Sequence, residues 1–478
     1  MLKKQVLVAM LVLGTVGTVA AQSEDWKPTP NATCTLTPRE FSTWFVSGSA
    51  SKGGVVKFAN SVGFPTQNTV CDFYKWSHRM FLWTTSLLDG DVLLDSPVFY
   101  DVNFDNNGNA IFIPNDPNAR GNSFALRGAK PQSIQPGGQA GGGDTLLSLN
   151  GSLVYFGVHV NDVYAWFNTA VTNNVLPAST PFPTTQAELN KIVTYAAANK
   201  AKLGDANALT MELKTAWVDA KSVSQPADYV SIQAAVPNYV GKVGDKVWTI
   251  SKTQPTVIKT LVLVGIHVVG PVQGHPEMVW ATFEHRSNAP DNTFYVTDKS
   301  GQTKQVPYNS SGAWSFMTND GQQAGALVPQ MKVDGATGNI TATTGNTIRP
   351  NNVYRVMPWG NAPTVNSANN NSQLISLNGD IRSMLTKLRD VRSNYFQVGA
   401  VWTQNGSIPN SGTDTAKQIG SKLLANSTME TYHQSDKMGC FGCHFVSPAT
   451  PPIPPAPTTG TSHLFSPTNN PLVPPPSK

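Results

Sequence analysis

Charged residues are scarce in this chain and make up 13% of its 478 residues, where an ordinary soluble protein has about a quarter. The formal net charge of +5 is spread along the sequence, without the run of Lys or Arg that marks a nucleic-acid site. We therefore expect no nucleic-acid partner. Wholesale disorder is excluded because aromatic residues are frequent and the net charge is small. With abundant Gly (39) and Pro (35), the composition predicts a β-rich exported protein.

Long hydrophobic runs are absent except at the N-terminus. Residues 1–21 have the layout of a secretory signal peptide, in which Lys3 and Lys4 precede an apolar stretch at 6–19 and a small-residue cleavage site ends at Ala21. The alternative is an uncleaved anchor, but the stretch is shorter than the roughly 20 apolar residues that a transmembrane helix needs. We expect a periplasmic or secreted bacterial protein with no membrane span after cleavage.

Cysteine is also rare, and the four cysteines fall into two pairs. An exported chain meets an oxidising compartment. Cys34 and Cys71 are therefore predicted to form a disulfide, and the alternative is two buried thiols.

The second pair lies in Cys440-Phe441-Gly442-Cys443-His444, the C-x-x-C-H pattern of covalent haem attachment. Two thiols at this spacing can each add to one vinyl group of a haem, and the histidine that follows can bind the iron. Zinc would need a second pair of ligands, yet the remaining cysteines lie near the other end of the chain. A thioredoxin-type pair would need a βαβ setting, whereas a Pro-rich tail follows here. The sequence thus predicts one covalent haem c.

Five segments are predicted along the chain: a signal peptide at 1–21, a linker at 22–33, a main body at 34–439, a haem-attachment segment at 440–465 and a Pro-rich tail at 466–478. A Gly-rich loop at 129–144 is a candidate sub-boundary within the body. Proline is frequent after His444 and methionine is absent there, so the tail cannot build the helical domain of a small cytochrome c. The haem is expected to pack on the preceding body.

Hydrophobic periodicity predicts an α+β fold with a β-rich central region and flanking helices. Helices are expected at 69–88, after the capping box Thr185–Glu188, at 371–392 and at 413–433. Strands are expected at 209–218, 259–270, 276–285 and 395–403, with a hairpin over 97–114. The second and third of these strands are close enough in sequence to form another hairpin.

Several segments together resemble a family of bacterial exported proteins, the monohaem cytochrome c family proteins. The similar segments are ELKTAW at 212–217, MVWATFEH at 278–285, NYFQVGAVWT at 394–403, LANSTMETYHQ at 424–434, CFGCH at 440–444 and SHLF at 462–465. The resemblance covers most of residues 70–465. It implies an exported haem protein with one continuous body, and it implies no particular substrate.

If haem is attached, His444 is the proximal iron ligand and the sixth position is open. His463 could fold back to fill it, or it could be an exposed histidine of the tail. His285, beside Glu284 at the end of a predicted strand, could be a distal ligand or a surface residue. We interpret His267 as a histidine of the core because it alternates with apolar residues.

Glu212 and Lys214 share one face of a predicted strand, and Glu284 could lie on a neighbouring strand. A buried cluster of these residues would be a candidate acid/base site. A solvated sheet face with ion pairs is the favoured interpretation.

Three functions follow from these patterns. The first is an exported monohaem c-type cytochrome-like protein that transfers single electrons to a redox partner protein or a small molecule. The second is a haem-dependent oxidoreductase of the peroxidase or oxygenase type, with an open distal site. The third is a binding module whose haem is structural or sensory. We favour the first of these.

Overall fold

A computed structural model describes residues 30–88, 90–104, 110–115, 144–318, 327–409, 417–434, 439–446 and 458–465. The fold is α+β. Its helices are α1 (Pro38–Thr43), α2 (Val70–Thr84), α3 (Asp162–Thr172), α4 (Gln186–Ala198) and α5 (Ala368–Lys387). Its strands are β1 (Leu87–Leu88), β2 (Asp91–Val92), β3 (Phe99–Phe104), β4 (Ala110–Pro114), β5 (Tyr155–Asn161), β6 (Glu212–Asp219), β7 (Ser231–Pro237), β8 (Tyr239–Val240), β9 (Val247–Ile250), β10 (Thr256–Val272), β11 (His275–His285), β12 (Phe294–Thr297), β13 (Thr303–Val306), β14 (Met331–Val333), β15 (Ile340–Ala342), β16 (Tyr395–Thr403) and β17 (Gln418–Gly420).

One large sheet organises these elements. Its order is β17-β16-β11-β10-β6-β5-β3-β4, with β7 paired to the first half of β10, and all its pairings are antiparallel. The long strand β10 lies at the centre, and a four-stranded sheet, β14-β15-β9-β8, stands beside it. Strands from both sides of the loop at 129–144 thus belong to the same sheet.

The two faces of the large sheet pack on different helices. Leu213 of β6 and Val268 of β10 belong to the core that includes α2 and α5, whereas Val160 of β5 and Val269 of β10 pack with α3 and α4. This follows from the alternation of side chains along a strand. The second face also receives the last described segments of the chain, and it carries the site.

Several predicted elements are confirmed. The strand 395–403 has the expected bounds, β10 and β11 form the expected hairpin, and β3 pairs with β4. The capping box of Thr185 and Glu188 opens α4. The helices are shorter than expected, since α2 ends at Thr84 and α5 at Lys387.

The helix predicted at 413–433 is wrong. Residues 413–416 lie outside the described residues, 418–420 form β17, and 421–434 form turns and irregular chain. The cause is side-chain competition for backbone groups. The Asn426 amide donates to the Phe283 carbonyl and accepts from the Thr428 backbone N–H, and the Ser427 N–H donates to Glu284. These bonds fix the segment on the sheet in a non-helical form.

The N-terminal segment is attached to the body by a disulfide between Cys34 and Cys71. The end of the predicted linker is attached as well, because Pro30 bridges to Asp298 and the Asn31 N–H donates to the Thr297 carbonyl. The signal peptide, residues 22–29, most of the Gly-rich loop and the tail 466–478 lie outside the described residues. Among the helices of the described part, none is both long and apolar enough to cross a membrane.

Candidate functional site

A cavity of about 370 Å³ lies on the second face of the large sheet. Its floor comes from β5, β6, β10 and β11, and its cover comes from residues 424–434, 439–446 and 458–465. The residues that line it include Val158, Glu212, Lys214, His267, Val269, Trp280, Leu424, Met429, Glu430, Cys440, Cys443, His444, His463 and Leu464. All three residues of the predicted haem-attachment motif therefore border one cavity.

The cover approaches the sheet closely at Gly265 of β10. A Cβ atom there would lie 2.6 Å from Thr428 Oγ1 and 2.9 Å from Asn426 Oδ1. Only a residue without a side chain leaves room for this contact. Glycine at this position therefore allows residues 426–428 to lie directly on the strand.

The motif itself begins with a second special glycine. Gly439 has φ of +59°, and a Cβ there would collide with the backbone of Lys422. The turn that it permits leads into the 3-10 helix Cys440–Gly442, and the His444 N–H donates to the Cys440 carbonyl at 2.9 Å. This compact turn brings both thiols and the histidine to the same cavity.

His444 is held on three sides. Its Nδ1 lies 2.9 Å from the Thr461 carbonyl, and because a carbonyl can only accept, Nδ1 carries the proton. The ring packs 4.1 Å from Trp280 and 4.2 Å from His463, between ring centroids. Burial, followed by the neighbouring His463, lowers the pKa of His444 to about 3. The ring is therefore neutral near pH 7, with its remaining lone pair on Nε2.

His463 stands beside His444 and not opposite to it. The two rings are stacked with only 22° between their planes, and His463 Nε2 donates to the Cys443 carbonyl at 3.1 Å. The structure places His463 as a support of the motif.

A charged cluster forms another part of the cavity wall. His267 and Lys214 are direct partners across β10 and β6, so both point to the cavity face. His267 Nε2 donates to Glu430 at 2.9 Å, and Lys214 Nζ lies 3.5 Å from the same oxygen. Burial tends to raise the pKa of Glu430, but His267 and Lys214 outweigh it and lower that pKa to about 2. Glu430 is an anion in this arrangement.

Sequence reasoning missed this cluster. The sequence pattern predicts Glu430 in a helix and His267 in the core, whereas His267 is only partly buried and both residues face the cavity. Side-chain alternation along the strand was the only pattern that could have indicated this position, because it places His267 on the same strand face as Val269.

Of the predicted acid/base group, Glu212 and Lys214 line the cavity and Glu284 does not. Glu212 lines the cavity, where Ser462 donates to it and burial raises its pKa to about 7. Glu284 lies elsewhere, with Arg355 Nη1 at 3.0 Å. Glu212 and Lys214 therefore share the site, and Glu284 does not.

His285 does not line the cavity either. It is buried at the end of β11, where its ring stacks 3.6 Å from Tyr229. Its Nε2 donates to the Asp228 carbonyl, and its Nδ1 accepts from Ser287. The structure does not bring His285 together with His444.

The residues of the cavity suit a covalently bound haem. They supply two thiols at the attachment spacing, a neutral histidine with a fixed tautomer, and apolar walls from Val158, Val269 and Trp280. Within the described residues, no three side chains of His, Cys, Asp or Glu converge as ligands for a metal ion. A haem needs no such cluster, because its ring provides four ligands and the protein adds one or two.

No protein-family model, curated protein or solved structure matches this chain. Its function is therefore inferred from the residues of the site.

Proposed function

We propose that this chain is an exported monohaem c-type cytochrome-like protein that transfers single electrons. Cys440 and Cys443 would attach the haem, and His444 would bind its iron. The observation that carries the proposal is the bond between His444 Nδ1 and the Thr461 carbonyl, at a cavity bordered by both thiols. A histidine ligand is characteristically oriented by such a bond on its other ring nitrogen.

The exposure of the two cysteines supports electron transfer. Cys440 is half-buried and Cys443 is exposed, so a group joined to both would have one edge in the protein and the other near solvent. A bound haem would supply the redox centre that alternates between ferric and ferrous iron. Trp280 and Leu464 are buried and would keep water from the inner edge of the haem. The partner would be a redox protein or a small molecule that docks at the exposed edge, in the periplasm or outside the cell.

A second candidate is a haem-dependent oxidoreductase. The cluster of Lys214, His267 and Glu430 favours it, since a reactive haem site needs polar groups close to the substrate position. These side chains can hold a proton or orient a polar ligand within the cavity. A protein that only carries electrons does not need these polar side chains in its cavity.

Haem attachment is tested with Cys440→Ala/Cys443→Ala in the exported protein. We expect the wild type to keep one haem in denaturant and the double variant to lose it, as measured by intact mass and absorption. Cys34→Ala/Cys71→Ala removes as many cysteines and should keep its haem. Haem that stays equally bound in the Cys440/Cys443 variant under denaturant would contradict the proposal.

The two candidates are separated by magnetic circular dichroism of the haem-loaded protein. A six-coordinate, low-spin ferric spectrum is expected for the electron carrier. A five-coordinate, high-spin spectrum would overturn that function and favour the oxidoreductase.

A further inference from the structure

The segment 458–465 follows the haem-attachment motif in the chain and packs at the cavity that the motif borders. It opens with the short 3-10 helix Thr458–Thr461, and Phe465 near its end stacks on Phe167 of α3, with 5.5 Å between ring centroids. Thr461 is fully buried, and its carbonyl accepts from His444 Nδ1. A group that holds this carbonyl in place therefore also holds the tautomer and the direction of the His444 ring.

Ser462 fastens the peptide that carries this carbonyl. It is 3% exposed, and its hydroxyl donates to Glu212 Oε2 on β6. A hydroxyl has one proton to donate, so the Tyr164 hydroxyl, 2.8 Å away, donates to Ser462 Oγ. The Leu464 backbone N–H donates to the same oxygen at 3.2 Å. Ser462 is thus bonded to the large sheet, to α3 and to its own segment.

Glu212 gives this attachment a rigid base. It is the first residue of β6, where it pairs with Val160 of β5 on one side and with Val269 of β10 on the other. A side chain on a strand between two neighbours is held more precisely than one on a loop. The carboxyl is buried, and in either protonation state it keeps an oxygen that can accept from Ser462.

The other neighbours of His444 do not replace this attachment. Trp280 and His463 pack against the ring, with centroids 4.1 and 4.2 Å away, and these contacts fix the plane of the ring. Packing on a ring does not select which of its nitrogens carries the proton. An acceptor at Nδ1 does select it, and here that acceptor is the Thr461 carbonyl.

We propose that Glu212 and Ser462 are positioning residues for His444 and that they act through the Thr461 carbonyl. Ser462 is joined to that carbonyl by one peptide bond, so a loss of its side-chain attachment lets the carbonyl move. A histidine whose second nitrogen is held in this way presents its lone pair in one direction and is a stronger ligand. The consequence for an iron atom rests on the proposed function, whereas the consequence for the His444 tautomer does not.

The test is nitrogen-15 NMR of the full chain labelled at histidine, with Cys440→Ala/Cys443→Ala as the background so that the motif has no thiol for haem attachment. The His444 signals are those lost in His444→Gln. We expect the Nδ1–H tautomer in this background and a mixture of both tautomers after Ser462→Ala or Glu212→Leu. Glu212→Gln keeps an acceptor oxygen for Ser462 and should keep the Nδ1–H tautomer.

Ser77→Ala is the matched control, because Ser77 is also buried and its hydroxyl donates to the Phe73 carbonyl within α2. It removes one buried hydroxyl outside the cavity lining and should leave the His444 tautomer unchanged. Ser462→Ala likewise removes one oxygen and adds no atom, and circular dichroism checks that each variant is folded. The proposal is overturned if Ser462→Ala keeps the Nδ1–H tautomer, or if Glu212→Gln loses it as completely as Glu212→Leu.

The same substitutions in the haem-loaded protein give a second measurement. The Thr461 carbonyl attracts the Nδ1 proton, which strengthens Nε2 as a donor and favours ferric iron. Ser462→Ala should therefore raise the reduction potential in a spectroelectrochemical titration, and Ser77→Ala should not. An unchanged potential after Ser462→Ala would overturn its role at the iron. If the wild type carries no haem, the proposed function fails, and the tautomer measurement still decides the role of Glu212 and Ser462.

Discussion

His285 shows at the scale of one residue how burial decides the state of a titratable group. Its ring lies between Tyr229 and Tyr395, with centroids 3.6 and 5.1 Å away. Burial lowers its pKa from 6.5 to about 3, more than the Asp228 carbonyl raises it. The residue is neutral in the folded protein under conditions in which an unfolded chain would be protonated.

The unfolding free energy should depend on pH through the protonation of His285. Between pH 6.5 and about 3 the unfolded chain binds a proton at His285 that the folded chain does not, so stability is lost as pH falls through this range. His285→Gln should flatten the slope of unfolding free energy against pH by about 1.4 kcal/mol per pH unit. Urea unfolding at several pH values measures this slope, and His433→Gln, at an exposed histidine, is the control. An unchanged slope would contradict the assignment.

The motif residues could be predicted from local sequence, and the charged cluster could not. Cys440, Cys443 and His444 form a continuous pattern whose spacing alone predicts haem attachment, and the structure places all three at one cavity. Glu430 reaches His267 only because a turn at 426–430 lies on a strand far away in the sequence. Such a contact depends on tertiary structure, and no short pattern contains it.

At the scale of elements, the segment 424–434 acts as an irregular cover on a regular sheet. The Asn426 amide donates to Thr282 Oγ1 and the Ser427 hydroxyl donates to Glu284, both on β11, while Thr428 Oγ1 donates to Asn426 Oδ1. Periodicity predicted β10, β11 and β16 well because each strand alternates between two buried faces. It failed for the cover, where side-chain hydrogen bonds determine the path of the chain.

Asn426→Ala should loosen this cover. The fully buried amide donates to Thr282 Oγ1 at 2.8 Å and to the Phe283 carbonyl at 3.1 Å, and it accepts from Thr428. Its loss leaves several buried groups without partners and should cost about 2–4 kcal/mol of unfolding free energy. The shift of the urea midpoint at constant m-value measures this cost.

Asn190→Ala is the matched control, since Asn190 lies on the exposed face of α4 and its side chain accepts from Gln186 Nε2. It should change stability by less than about 0.5 kcal/mol. A loss below about 1 kcal/mol for Asn426→Ala would show that its hydrogen bonds do not anchor the cover.

At the scale of the molecule, one sheet joins parts of the chain that are distant in sequence. Strands β3 and β17 belong to it although more than 300 positions separate them. The order of these strands could not be read from the sequence, because pairing partners are set by the packing of both faces. The α+β class could be predicted from the sequence, because composition and periodicity determine it.

The disulfide between Cys34 and Cys71 fixes the N-terminal segment to α2, across a sequence separation of 37 residues. Cys34→Ala/Cys71→Ala should lower the unfolding free energy by about 4 kcal/mol, as expected from the chain entropy of a loop of this length. Thermal unfolding of both forms measures the loss. An unchanged midpoint would show that the disulfide adds no stability.

The hydrogen bond between Ser462 and Glu212 joins residues 250 positions apart. A chain made from its N-terminus completes strands β5 to β11 long before it makes the segments that cover them. Until then the apolar face that carries Val269 and Trp280 lacks the cover that residues 424–434, 439–446 and 458–465 provide. The cavity is therefore complete only after the last described segments of the chain have been made and have packed on the sheet.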